Sequence, residues 1–180
     1  MRWKKLSEKF VYENPWMKVR EDQVIRPDGK KGIYGVIITD PSVFIVPETK
    51  GRKIILVKQF RYPTQKYSWE IPAGKMDKGE VDPKKTALRE LLEETGFKAN
   101  AVEKIGEFDS LNGLVDETGI IYAARELEET DMNEQEEEGI EEVKEFSINE
   151  IKEMMKSGEI NDCQTIASIF IYLNSAPHNQ

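Results

Sequence analysis

The most constraining stretch of this chain is a helix whose start and stop can both be read locally. Asp82 suits the N-cap, Pro83 the first helical position and Gly96 the end, so a helix is expected from Pro83 to about Thr95. Ala87, Leu88, Leu91 and Leu92 recur at helical spacing and mark the face to be buried. Around this helix the chain reads as strands. Residues 18–26 form a polar strand expected at a sheet edge, and Pro27-Asp28-Gly29 turns it into a β-branched partner at 33–39. Further strands are expected at 43–46, 53–60, 69–71, 99–108, 119–125 and 140–146. Ser147-Ile148-Asn149-Glu150 is a capping box for a helix ending at Ser157-Gly158, and a last helix covers about 162–173 with Ile166, Ile169, Phe170 and Leu173 as its core stripe. Strands on both sides of one helix, with helices at the end, predict an α+β fold around a mixed sheet. Phe44, Phe60, Phe108, Phe146 and Phe170 read as core, and the weak boundary at Asp40-Pro41 separates residues 1–40 from 41–180.

Two counts of one narrow the chemistry. Cys163, expected to be an inert, partly buried thiol, is the only cysteine of the 180 residues, and His178 is the only histidine. Disulfides, cysteine zinc sites and Ser-His-Asp or Cys-His catalysis are therefore poor fits. Carboxylates, Lys, Arg, Tyr and hard metal ions remain. The net charge of −8 argues against nonspecific nucleic-acid binding, and no apolar run approaches a membrane span or a signal peptide, so a cytoplasmic protein with neither nucleic acid nor membrane as partner is expected. The negative charge is concentrated: residues 126–145 hold eleven acids against Lys144 alone.

On the expected helix, Glu90, Glu93 and Glu94 stand at i, i+3 and i+4, so their carboxylates project from one side, next to Arg89. Such a cluster suits octahedral oxygen coordination of Mg²⁺ or Mn²⁺, and it is equally what a solvated acidic face looks like. The glycine-bracketed loop Gly74-Lys75-Met76-Asp77-Lys78-Gly79-Glu80 leads into this helix, its glycines permitting tight turns.

Taken together, Gly74…Glu80…Arg89-Glu90-Leu91-Leu92-Glu93-Glu94-Thr95-Gly96-Phe97 resembles the Nudix box, G-x5-E-x7-R-E-U-x-E-E-x-G-U, except that eight residues rather than seven separate Glu80 from Arg89. The resemblance implies a Nudix α/β/α sandwich around a mixed sheet, with the N-terminal antiparallel hairpin added. It also implies a divalent metal, Mg²⁺ with Mn²⁺ as substitute, held by Glu90 and Glu94, by Glu93, and by the Ala73 carbonyl, with Arg89 orienting the glutamates. Gln59-Phe60-Arg61-Tyr62-Pro63, Trp69-Glu70-Ile71-Pro72-Ala73-Gly74 and Lys156-Ser157-Gly158-Glu159-Ile160-Asn161-Asp162 look like the ADP-ribose and nucleoside diphosphate sugar pyrophosphatase branch. That likeness gives Arg61 a diphosphate oxygen to bind and gives Glu70 the substrate's ribose or a metal; Trp69 reads as packing rather than a base-stacking platform, and Tyr34 as packing rather than a substrate contact.

The same likeness implies a general base on the acidic run. Glu136 falls at the base position and Glu138 near the metal, with the neighbouring Glu134 and Glu137 left open and Glu117 a further candidate that this alignment favours less. The branch's Ser-Pro-Gly is replaced here by Leu111-Asn112-Gly113, which widens the implied substrate from ADP-ribose to nucleoside diphosphate sugars as a class. The implied activity is Mg²⁺-dependent hydrolysis of such a sugar to a nucleoside monophosphate and a sugar phosphate. The N-terminal region 1–40 is implied to build a homodimer. Pyrophosphohydrolysis of dinucleoside polyphosphates or capped RNA, and a non-catalytic nucleotide-sugar sensor, are the competing readings.

Overall fold

The computed structural model describes residues 2–175; His178 lies outside the described residues. In chain order the elements are β1 (Lys4–Glu13), β2 (Lys18–Ile25), β3 (Lys31–Ile38), β4 (Ser42–Pro47), β5 (Ile54–Arg61), β6 (Lys66–Glu70) and β7 (Ala73–Lys75). Then come α1 (Pro83–Thr95), β8 (Phe97–Asp109), β9 (Val115–Asp116), β10 (Thr118–Glu129), α2 (Gln135–Glu138), β11 (Ile140–Phe146), α3 (Ile148–Ser157) and α4 (Cys163–Ser175). The fold is α+β, with mixed sheets, helices and N-terminal antiparallel strands. The chain divides into two compact units at Pro41/Ser42, and Phe108–Thr118 belongs to the first unit although it lies far along the sequence.

The first unit is one sheet in the order β1-β2-β3-β9. β2 pairs antiparallel with both β1 and β3, so the strand expected at an edge is an inner one. β1 itself escapes a period-two reading because it is exposed along its whole length and bulged after Lys5 and after Phe10. Tyr34 packs edge-on against Trp3 at 5.2 Å and donates its hydroxyl proton to the Gly113 carbonyl at 2.8 Å.

The second unit holds two sheets, β7-β4-β10-β8 and β11-β5-β6. β4 pairs parallel with β10 and antiparallel with β7. Every residue of β4 is buried, as a strand covered on both faces requires. Val43 and Ile45 pack with Ala87 and Leu91 of α1 and with Tyr122 and Ala124 of β10, and α4 also packs against β4. Burial of its apolar face at about 25 cal/mol per Å² stabilises α1, whose first turn holds no acid beyond the capping Asp82.

α4 buries a different stripe from the expected one. Thr165, Ser168, Ile169 and Tyr172 are buried, while Ile166 and Phe170 face outward, Phe170 at 67% exposure. Apolarity alone points to Ile166 and Phe170. The structure instead needs a hydroxyl inside, because the Ile71 N–H donates to Thr165 Oγ1 at 3.2 Å. Phe60 is likewise exposed, stacked obliquely on Tyr67 at 5.1 Å, and Cys163 is exposed rather than partly buried. Phe44 is buried, and Trp69 is buried with its ring edge-on to Phe146 at 4.9 Å.

Candidate active site

The site grows from α1 and from the strand that runs into it. Asp82 caps the helix by accepting from the Lys84 N–H at 3.1 Å, Pro83 follows, and Gly96 closes the end at φ 77°. Between Glu80 and Arg89 the helix begins only at Pro83, and Val81 before it is 91% exposed, so the loop has room for the extra residue ahead of the helix. Glu80 has a structural duty, accepting from the Thr86 hydroxyl at 2.6 Å at the helix start.

The acidic side of α1 is not a solvated face. Glu90 and Glu94 are 5% and 4% exposed, beside Leu91 and Ala87. Burial pushes Glu94 up to about 8, with repulsion from Glu90 adding to it; the Ala73 N–H, donating to Glu94 Oε2 at 3.1 Å, and Arg61 pull the other way. Burial likewise raises Glu90 to about 7 against the attraction of Arg89, with Glu93 and Glu138 raising it further. Two buried carboxylates this reluctant to ionise lack sufficient positive charge nearby.

Arg89 supplies the part it can. One guanidinium nitrogen lies 2.7 Å from Glu90 Oε1 and another 2.8 Å from Glu93 Oε2, and it also donates to the Lys75 carbonyl at 3.1 Å. Asp77, which was not singled out in the sequence, is a further acid at 3.8 Å from Arg89. Gly74 of β7 faces the same carboxylate: a Cβ there would overlap the Glu90 carboxyl group.

The acidic run is brought onto this helix. Its residues 135–138 form the short helix α2, and the Glu134 N–H donates to the Glu93 carbonyl at 2.8 Å. Among the described residues the carboxylates that converge are Glu93, Glu134 and Glu138, with oxygens within 4.8 Å of one another. Glu138 is also close enough to raise both Glu90 and Glu94. Glu136 sits on the same turn, exposed, with its carbonyl accepting from the Gly139 N–H at 3.3 Å, and it is not a member of that cluster. Glu117 lies in the first unit.

Arg61 and Glu70 are found together as an ion pair. Arg61 Nη2 lies 2.6 Å from Glu70 Oε2 and its Nε 3.2 Å from Oε1. Glu70 is buried, and that burial raises its pKa in spite of Arg61. Arg61 keeps 47% of its side chain exposed, so its guanidinium remains accessible to an anion. Two cavities of about 830 and 860 Å³ lie elsewhere in this unit, and neither is lined by Glu90, Glu93 or Glu94.

The donor set fits a hard divalent cation. It is all oxygen, it is anionic in excess of Arg89, and a cation there would favour the charged form of its buried members. Residues 39–163 match the NUDIX domain family, and residues 3–37 match the nucleoside diphosphate sugar hydrolase N-terminal domain. An ADP-ribose pyrophosphatase of Bacillus subtilis (strain 168) is 36% identical over 137 residues, covering 74% of each chain. A Mus musculus ADP-sugar pyrophosphatase is 34% identical over 108 residues, 54% of this chain and 49% of its own length. The crystal structure of an ADP compounds hydrolase superposes with a TM-score of 0.84 over 97% of this chain and 94% of its own, at 20% identity, a likeness of fold.

Proposed function

This chain belongs to the Nudix family, and from that premise we propose that it is a pyrophosphatase hydrolysing a nucleoside diphosphate sugar, ADP-ribose or a related compound, to a nucleoside monophosphate and a sugar phosphate. The observation that carries the reading is the pair of buried glutamates, Glu90 and Glu94, under the Glu93, Glu134 and Glu138 cluster. Glu90, Glu94 and Glu93, with the Ala73 carbonyl, would hold Mg²⁺, or Mn²⁺ in its place. When bound, such an ion neutralises diphosphate oxygens and lowers the pKa of an attacking water.

The protein's own groups supply the rest. Arg89 fixes the rotamers of Glu90 and Glu93 by bridging both. Arg61 exchanges part of its contact with Glu70 for a diphosphate oxygen, which its planar fork suits, and Glu70 is freed to accept from a ribose hydroxyl. As water attacks phosphorus and the bridging P–O bond breaks, a carboxylate of the acidic turn accepts the water's proton. Glu138 is the better placed, and Glu136 is the other candidate.

The deciding assay is a panel of ADP-ribose and other purine and pyrimidine diphosphate sugars with Mg²⁺, then with excess EDTA. At least one should turn over, with activity lost in EDTA and regained on adding Mg²⁺. Glu138→Gln should lower kcat by about a hundredfold, and Glu136→Gln by severalfold. The reverse order would move the base to Glu136. Turnover confined to dinucleoside polyphosphates or capped RNA would displace the sugar reading, and tight binding of a nucleotide sugar with no turnover would make the protein a sensor.

The first unit supports a homodimer, and we include it in the proposal. Trp3, Leu6, Phe10, Val11, Tyr12 and Trp16 of its N-terminal strand and turn are about half exposed or more, which is unusual for a surface that stays solvated. Sedimentation velocity should give a dimer for the wild type and a monomer for Leu6→Asp/Phe10→Asp. A monomeric wild type at micromolar concentration would remove this part.

A further inference from the structure

Gln59 bears on how the acidic turn is held. It is near the end of β5, where its backbone pairs with Ile140, the first residue of β11. The ladder is irregular there, shifting register between Ile140 and Glu142. Beyond Ile140 the chain bends through Gly139 at φ 69° into α2, so on this edge no strand continues alongside β5. The Gln59 side chain takes over: its Nε2 donates to the Glu138 carbonyl at 2.7 Å. It adds one rung to the sheet after the backbone has left it. At the other end of the turn, the Glu134 N–H donates to the Glu93 carbonyl. A five-residue segment carrying four glutamates is thus fastened at both ends, once to α1 and once to β5.

Those fastenings have a force to resist. The carboxylates of Glu134 and Glu138 are brought to within 4.8 Å of that of Glu93, and like charges at such distances repel. A four-residue helix cannot hold itself against this, since helices so short are unstable alone. Resting on the proposed hydrolase reading, we propose that Gln59 is a positioning residue that latches the C-terminal end of the acidic turn to β5 through the Glu138 carbonyl, setting where the Glu138 carboxylate stands beside α1.

The test separates the latch from the reading it rests on. Gln59→Leu keeps the bulk and removes the donor; Gln59→Asn keeps the donor on a shorter arm. In the metal-free protein, hydrogen exchange of the 134–139 amides should quicken about tenfold or more in Gln59→Leu and less in Gln59→Asn, with the melting temperature moving by about 2 °C or less. With substrate, kcat should fall about tenfold in Gln59→Leu while KM stays within about twofold. Unchanged exchange in that segment would overturn the latch whatever the activity, as would a uniform quickening across β5 and β11, which a merely structural role produces. Absence of turnover in the wild type would instead overturn the hydrolase reading and leave the exchange result to stand by itself.

Discussion

Replacing Glu94 by Gln is expected to remove hydrolysis and, in the same molecule, to stabilise the metal-free protein at pH 8. The first effect follows from the donor set: Gln presents a neutral carbonyl where a charged oxygen is needed, and the loss should be about a thousandfold or more in kcat. The second follows from linkage. Burial raises Glu94 from 4.5 to about 8 in the folded protein, so the folded state holds this proton more tightly than the unfolded chain does. The sign is that of a group destabilising when charged: no cost below about pH 4.5, a growing cost up to about pH 8, and the full cost above it. Gln carries no such charge and keeps the hydrogen bond from the Ala73 N–H. Its metal-free form should therefore be more stable than wild type by on the order of 1–3 kcal/mol at pH 8, and about equal at pH 5. Thermal melting in EDTA at both pH values, beside the turnover assay, decides it. Full activity in the variant would dismiss Glu94 as a ligand, and equal melting at pH 8 would show that the carboxylate is not strained in the metal-free state.

Gly74→Ala should be nearly as damaging, for a reason that turn chemistry does not supply. Gly74 sits in β7, paired with Val43, and is not among the positive-φ residues, so any amino acid could adopt its backbone angles. What it provides is space. A Cβ at this position would run into the Glu90 carboxyl carbon and both its oxygens, and Glu90 is buried beside Arg89 with little room to withdraw. Either Glu90 turns away from the proposed metal site or β7 shifts from β4 and carries Ala73 with it. Divalent-metal affinity should drop by about a hundredfold, with a matching loss of turnover. Gly79→Ala is the control: it lies at φ 90° in the loop with open space around its Cβ position, so it costs stability through backbone strain but leaves metal affinity within about twofold. If the two variants bound metal equally well, close approach to Glu90 would not be the function of Gly74.

Several features of this site were legible because they are local. The Asp82-Pro83 start and the Gly96 stop depend on a few neighbouring backbone groups, and the helix has those bounds. The i, i+3, i+4 spacing of Glu90, Glu93 and Glu94 places them on one side of any helix. Other features were misread for equally physical reasons. Ile166 and Phe170 are apolar at helical spacing, yet the hydrogen-bonding need of Ile71 turns Thr165 inward in their place. β1 carries charged and aromatic residues on both faces, all exposed, so no periodicity announces a strand. The family likeness put Glu138 near the metal and left Glu134 open, but the two hydrogen bonds that hold them beside Glu93 join residues distant in the chain and follow from no spacing rule.

By itself, then, the sequence determined the helix, the side on which its glutamates stand, and the family likeness carried by the box. Tertiary structure alone decided that Glu90 and Glu94 are buried, that Gly74 is needed for room, that Arg61 rests on Glu70, and that long-range hydrogen bonds hold Glu134 and Glu138 beside Glu93. The division is physical. Caps and helical spacing involve groups within a few residues of one another, whereas burial, desolvation and the meeting of like charges depend on which distant strands and turns the packed chain brings alongside.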